Sequence, residues 1–134
     1  MTSVTAKGTF EVKITPQTPD DYADGAVLGR MTLDKSFHGD LEATSRGQML
    51  TAMSAVKGSA GYVAIERVVG TLNGRRGSFA LQHSGTMDRG APTLAVSVVP
   101  DSGTDDLAGL SGSMEIIVAA GGHAYVLTYV LPAP

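Results

Sequence analysis

The sequence predicts an all-β fold: a closed, antiparallel, eight-stranded up-and-down barrel made by a single domain of residues 1–134. Apolar and polar residues alternate with a period of two through most of the chain, which is the pattern of half-buried strands. The alternating segments are short and are joined by turns that use many of the 17 glycines. A flat sheet of eight strands would leave two exposed edges, and closure into a barrel removes them.

The first half of the chain contains three predicted strands. Residues 8–15 alternate clearly, whereas residues 16–29 collect prolines, aspartates and glycines and predict a long loop. Residues 30–37 form the second strand, and the pattern resumes in residues 40–55 after a His-Gly break. The methionines and alanines of residues 47–56 also fit helical spacing, but a strand is the preferred interpretation.

The second half begins with the strongest local signal, a hairpin. Two alternating runs, residues 62–72 and 78–87, flank the segment NGRRG, and an Asn-Gly step between such runs favours a tight β-turn. Residues 93–100 form a strand that ends at a proline.

The chain ends with a loop and two more strands. Residues 100–112 form a turn or one helical turn, which Ser102 or Thr104 could cap. Two last strands, residues 113–119 and 123–131, are separated by a double glycine.

Composition excludes several classes of function. The chain has no cysteine, so it has no disulfide, thiolate metal site or cysteine nucleophile, and we expect a cytoplasmic protein. A net charge of −3, no tryptophan and no basic cluster beyond Arg75-Arg76 make nucleic acid an unsuitable partner, and no continuous apolar segment predicts contact with a membrane. Because phosphate-binding loops and histidines at metal-ligand spacing are missing from the sequence, we expect no cofactor and no metal.

The apolar residues also predict self-association. In residues 62–69, Val63, Ile65 and Val69 occupy the face opposite Tyr62, Ala64 and Val68, so both faces of the strand are apolar. A single barrel buries only one face, and a second copy of the chain would cover the other. The sequence therefore predicts a homo-oligomer, although the outer valines also fit simple strand propensity.

The sequence resembles a bacterial family, the domain of unknown function 3224. The resemblance is carried by GTFEVK near the start, FHGDLEATS at 37–45, and three longer blocks. These blocks are GSAGYVAIERVVGTLNGRRGSFALQHSGTM, SVVPDSGTDDLAGLSGSMEI and GGHAYVLTYVL. The resemblance implies an eight-stranded barrel similar to that of allene oxide cyclase, related to the lipocalin-like barrels. It implies no function, and the site motifs of the plant cyclases are not present in this sequence.

Two polar residues lie where a valine would be expected in a core strand, Glu66 and His83. A two-residue turn at Asn73-Gly74 puts both on one face with Phe79 and Leu81, whereas a three-residue turn would put Glu66 on one face with Ser84 and His83 on the other with Arg67. In the first case a carboxylate and an imidazole face the lumen side by side, and each shifts the pKa of the other. We therefore take Glu66 and His83 as a candidate acid and base pair.

Four residues are candidates for contact with a ligand. Tyr62 and Tyr125 could offer a hydroxyl to the lumen, and Phe79 and Leu81 an apolar wall. His123 is expected at a solvated barrel rim. Glu115 is expected on the outer face.

Three functions are compatible with these features. The first is the binding of a small apolar or amphipathic molecule in the lumen, with the polar pair as its anchor. The second is an isomerase or cyclase that uses Glu66 and His83 for acid and base chemistry on such a molecule. The third is a structural or interaction barrel with a filled core, in which the pair only satisfies itself.

Overall fold

The structure, a computed structural model, describes residues 2–17, 25–119 and 121–132. Its eight strands close into a barrel in sequence order, with every neighbouring pair antiparallel and the first strand paired to the last. The predicted fold is therefore confirmed. The strands are β1 (Val4–Gln17), β2 (Val27–Gly39), β3 (Leu41–Met53), β4 (Ala60–Leu72), β5 (Arg75–Asp88), β6 (Ala91–Val98), β7 (Ser111–Ala119) and β8 (Gly122–Val130).

The β4–β5 hairpin has the two-residue turn that its sequence favours. Asn73 and Gly74 both adopt positive φ, 46° and 84°, which is the conformation that this tight turn requires. The strands consequently pair Ala64 with His83 and Glu66 with Leu81. The register derived from an even-numbered turn is confirmed, and it places both polar residues on the inner face.

The predicted loop at residues 16–29 is shorter than expected. β1 continues to Gln17 and β2 begins at Val27, while residues 18–24 lie outside the described residues. Pro16 is tolerated in β1 because β8 pairs with this strand only from Val4 to Phe10. Among the described residues this part of β1 therefore has a partner strand on one side only, which is a position where proline is tolerated.

β3 settles the ambiguity between strand and helix. It runs without interruption from Leu41 to Met53 and pairs along its whole length with β4. The methionines and alanines in its second half are therefore strand residues, because pairing on both sides outweighs their helical propensity.

One end of the barrel is closed by apolar side chains and by the connection between β6 and β7. Leu41, Leu72 and Tyr125 are each 1% exposed there, and Leu107 and Leu110 of the connection are equally buried. The connection contains a short 3₁₀ turn, Asp105–Leu107, whose Leu107 side chain is the buried one. Within the described residues this end of the barrel is therefore packed.

The hydroxyl groups of that connection have a role other than helix capping. Thr104 precedes the 3₁₀ turn but forms no side-chain cap; its hydroxyl accepts a hydrogen bond from the Ser78 amide at 3.0 Å. The Ser102 hydroxyl accepts one from the Ala80 amide, also at 3.0 Å. The described ladder between β5 and β6 begins only at Leu81, so these hydroxyls replace a neighbouring strand for the start of β5. The expectation of a cap was wrong for this reason.

The other end of the barrel, called here the open end, is lined by inner-face side chains that reach solvent. Ile14 is 47% exposed, Met87 41% and Leu94 46%, although each lies on the inner face of its strand. Met31, Met49 and Tyr62 are half-buried at the same end. The lumen therefore changes from a packed core to an accessible apolar wall along its axis.

Candidate functional site

Glu66 and His83 contact each other inside the barrel. The Nε2 atom of His83 lies 2.6 Å from Oε2 of Glu66, in hydrogen-bonding contact. Glu66 has no exposed surface and His83 is 3% exposed. They meet because both occupy inner positions of the β4–β5 hairpin. His83 pairs with Ala64, which is the inner residue before Glu66 on β4.

Two further side chains complete the cluster. The ammonium group of Lys35 donates to Oε2 of Glu66 at 2.7 Å, and the Ser45 hydroxyl donates to Oε1 at 2.8 Å. Lys35 and Ser45 are 7% and 4% exposed. We call Lys35, Ser45, Glu66 and His83 the lumen cluster.

Sequence reasoning missed Lys35, although its position carried a signal. It lies between Leu33 and Phe37 at the same two-residue spacing as these buried apolar residues, so alternation alone directs it inward. A lysine on an apolar face needs a buried counter-ion, and Glu66 is the only buried carboxylate among the described residues.

Aromatic rings surround the ammonium group of Lys35. Its Nζ atom is 5.1 Å from the centre of the Phe10 ring and 5.9 Å from that of Phe37, within the range of cation–π contact. The ring of His123 stacks on Phe10 at 5.0 Å, and His123 is half-buried. His123 thus lies at the end of β8, as expected of a rim residue, but its ring packs against Phe10 and is only partly exposed to solvent.

The charge of Glu66 is stabilised by its partners. Burial alone would raise the pKa of this carboxyl group, but the hydrogen bond with His83 and the charge and hydrogen bond of Lys35 outweigh burial and lower the pKa to about 2. Glu66 therefore remains a carboxylate at neutral pH. Its charge cancels that of Lys35, so the pair is neutral as a unit.

Tyr62 is the predicted ligand contact that lies nearest to both the cluster and the open end. Its ring covers Gly85 on the facing strand, where an added Cβ atom would come within 2.5 Å of the ring. Burial and the charge of Glu66 raise the pKa of the Tyr62 hydroxyl. The hydroxyl forms no hydrogen bond with the residues that the structure describes.

The other predicted ligand contacts lie in the packed core. Phe79 is 2% exposed and Leu81 has no exposed surface. The Tyr125 hydroxyl accepts from the Leu41 amide at 2.9 Å and donates to the His38 carbonyl at 3.0 Å, so it ties β8 to the turn between β2 and β3. Of these four residues, only Tyr62 presents a substantial surface to solvent.

The outer face carries its own features. Glu115 is exposed on β7, as predicted, and Arg75 and Arg76 are exposed beside the hairpin turn. Within the three described ranges, no group of three or more histidine, aspartate and glutamate side chains is placed to hold a metal ion. In the same ranges, no helix has both the length and the apolar character needed to cross a membrane.

Comparison with known proteins identifies the family. The family model described as "Protein of unknown function (DUF3224)" matches residues 6–129. The chain belongs to the DUF3224 family. A crystal structure of a DUF3224 protein of unknown function from Shewanella oneidensis MR-1 is 50% identical in sequence and superimposes with a TM-score of 0.93. That similarity covers 99% of this chain and 100% of the other, so the DUF3224 barrel is shared over the full length. None of the curated proteins matches the chain.

Proposed function

We propose that this DUF3224 protein binds a small apolar or amphipathic molecule in the open end of its barrel. The observation that carries the proposal is the difference between the two ends. Leu41 and Leu72 are 1% exposed at the closed end, whereas Ile14 and Leu94 are 47% and 46% exposed on the same inner face. An accessible, concave apolar wall is the usual environment for a small ligand.

The lumen cluster supplies the polar part of such a site. It adjoins the half-buried Tyr62 at the open end, and Lys35 and His83 keep a small exposed surface while Glu66 keeps none. An apolar wall with a few fixed polar groups at its inner boundary orients an amphipathic molecule with its polar end inward. Glu66 then acts behind the contact groups, by fixing their position and charge.

Binding can be tested with a neutral dye that fluoresces in apolar surroundings, N-phenyl-1-naphthylamine. Two adjacent residues of β3 give a matched pair of variants: Met49 lies on the inner face and is half-buried, and Leu50 lies on the outer face and is 54% exposed. We expect the wild type and Leu50→Lys to bind the dye, and Met49→Lys to lose at least tenfold in affinity because a charge enters the apolar wall.

The same pair of variants distinguishes the alternatives. Loss of binding in Leu50→Lys alone would place the dye on the outer face and contradict the proposal. No binding by the wild type would favour the structural alternative, a barrel whose core is filled. That alternative is consistent with the absence of any fully buried, unpaired side-chain nitrogen or oxygen among the described residues.

A second candidate function, an isomerase or cyclase, is favoured by the contact between His83 and Glu66. A carboxylate that accepts from one imidazole nitrogen fixes the orientation and tautomer of the ring, which leaves the other nitrogen available to move protons on a ligand. In this reading His83 is the acid and base, and Glu66, saturated by three partners, is the positioning residue. Proton exchange at an activated carbon of a bound ligand, measured by NMR and abolished in His83→Gln, would support it.

We also propose that the chain associates with a second copy through the outer face of β3, β4 and β5. This face forms a groove of about 700 Å³ whose apolar lining includes Leu50, Val63 and Ile65, each more than half exposed. Monomers rarely expose such a patch without a partner. Ile65→Asp should shift the sedimentation coefficient toward the monomer, whereas Ile117→Asp on the opposite wall should not. A wild type that sediments as a monomer would refute the proposal.

A further inference from the structure

The hydrogen bonds of the lumen cluster converge on Glu66. Glu66 accepts from three side chains, and the ammonium group of Lys35 is enclosed by Glu66 and two aromatic rings. Both oxygens of Glu66 thus already accept hydrogen bonds, and Lys35 gives one of its three N–H donors to Glu66 and lies over the two rings. The polar end of a molecule that enters from the open end needs a group with unused hydrogen-bonding capacity at that end.

Two groups beside the open end do have that capacity. The Nδ1 atom of His83 and the hydroxyl of Tyr62 form no hydrogen bond with any described residue. Every fully buried side-chain nitrogen and oxygen in the described ranges has a partner, so this Nδ1 atom is not fully buried. The Tyr62 ring covers Gly85, the next inner residue after His83 on β5, so the two side chains occupy adjacent inner positions.

The charges of the cluster restrict the molecule that these groups can accept. Lys35 and Glu66 form an ion pair of zero net charge, and a buried site of low polarity tolerates no additional unpaired ion. An uncharged molecule with an acidic proton satisfies this condition. A permanent cation or a permanent anion without an accompanying proton does not.

Resting on the binding function proposed above, we propose that the molecule bound in the open end is a carboxylic acid with an apolar body. Its carboxyl group hydrogen-bonds to Nδ1 of His83, and its second oxygen accepts from the hydroxyl of Tyr62. The acidic O–H bond breaks and an N–H bond forms at Nδ1, so that the charges alternate from Lys35 through Glu66 and His83 to the ligand carboxylate. No charge is gained by the site as a whole.

The raised pKa of Tyr62 is consistent with this arrangement, since it keeps the phenol protonated and able to donate. The titratable groups that share the inner surface with His83 in the described residues are Glu66 and Tyr62 from β4, Lys35 from β2, and His123, Tyr125 and Tyr129 from β8. The strand on the other side of His83, β6, presents Val96 and Leu94. Glu66 is thus the sole carboxylate that an incoming acid meets.

Two probes of the same shape test the proposal: 1-naphthoic acid and 1-naphthalenemethanol. At pH 8 the free acid is ionised, so binding in the proposed form must take up about one proton per molecule. Isothermal titration calorimetry in two buffers of different ionisation enthalpy measures that uptake on the wild type. We expect the acid to bind at least tenfold more tightly than the alcohol, with about one proton taken up.

Two histidine variants test whether His83 takes up the proton of the bound acid. His83→Gln keeps a donor for Glu66 but removes the basic nitrogen, and it should lose both the preference for the acid and the proton uptake. His38→Gln, on the outer surface, should retain both. Equal affinity of the two probes would overturn this inference and leave the binding function intact, whereas failure of both probes to bind would overturn the two together. Tight binding of the acid without proton uptake would show that the proton transfer is wrong.

Discussion

The ionised carboxylate of Glu66 should contribute measurably to the stability of the barrel, and acid should remove that contribution. Its pKa is lowered from 4.5 to about 2 in the folded protein, because the partners that favour the carboxylate exist only there. A group whose pKa is lower in the folded state stabilises the protein at pH values above its unfolded-state pKa. That stabilisation is lost as the pH falls toward its folded-state pKa. The relevant window is therefore pH 4.5 to about 2.

The size of the effect follows from the two pKa values. The lowering corresponds to about 3 kcal/mol of stability at pH 7, of which about 2 kcal/mol should be lost by pH 3. In Glu66→Gln this contribution is absent at every pH, and the buried Lys35 also loses its counter-ion. The variant should be less stable than the wild type by about 3–5 kcal/mol at pH 7.

Urea unfolding at pH 7, 5 and 3 measures the prediction. The difference in unfolding free energy between wild type and Glu66→Gln should shrink by about 2 kcal/mol from pH 7 to pH 3. Glu115→Gln, which removes an exposed carboxylate from β7, is the matched control and should follow the wild type at each pH. A difference that stays constant with pH would refute the reasoning, because it would mean that Glu66 titrates alike in the folded and unfolded states.

Two other changes should act through single contacts. Tyr125→Phe removes the hydroxyl that the Leu41 amide donates to, and should cost about 1–3 kcal/mol in urea unfolding, whereas Tyr62→Phe should change stability by less than about 0.5 kcal/mol. Equal effects of the two changes would contradict this assignment. Gly85→Ala puts a Cβ atom 2.5 Å from the Tyr62 ring and should destabilise the barrel by about 1–3 kcal/mol. Gly61→Ala, whose added Cβ atom has 3.7 Å of clearance, should not; if both alanines are tolerated, the Tyr62 ring does not lie over Gly85.

The fold could be predicted from the sequence because the patterns that indicate it are local. Period-two alternation identified the strands, and the Asn73-Gly74 turn fixed the register of β4 against β5 by parity alone. The hydroxyls of Ser102 and Thr104 were misassigned because their partners lie on β5, more than 20 residues away. A capping rule considers only the residues that follow in the chain, so it could not find those partners.

Only half of the lumen cluster could be predicted from the sequence, for the same reason. Glu66 and His83 lie on adjacent strands of one hairpin, so their contact follows from its register. Lys35 belongs to β2, which is separated from β4 by a whole strand, and no pairwise register predicts a contact across it. That contact depends on the size of the side chains on the strand between them.

β3 provides that space with small residues at its inner positions. Gly47 lies opposite Glu66, and a Cβ atom added to it would come within 2.7 Å of the Glu66 backbone and side chain. Ser45, the preceding inner residue, is short enough to donate to the carboxylate without blocking it. Lys35 can therefore extend past β3 to Glu66, and the pair requires small residues at both positions.

The energetic cost of such a pair is one reason why we propose a ligand for the lumen cluster. Removing two charges from water costs several kcal/mol per ion, and a well-packed apolar replacement of similar volume is often at least as stable. Lys35 and Glu66 are therefore an expensive way to fill a barrel that already packs Phe79, Leu81 and Leu127. What they provide, and apolar residues cannot, is a fixed carboxylate that holds His83 with one nitrogen free. A ligand that uses this nitrogen is the reason we propose for the buried charges.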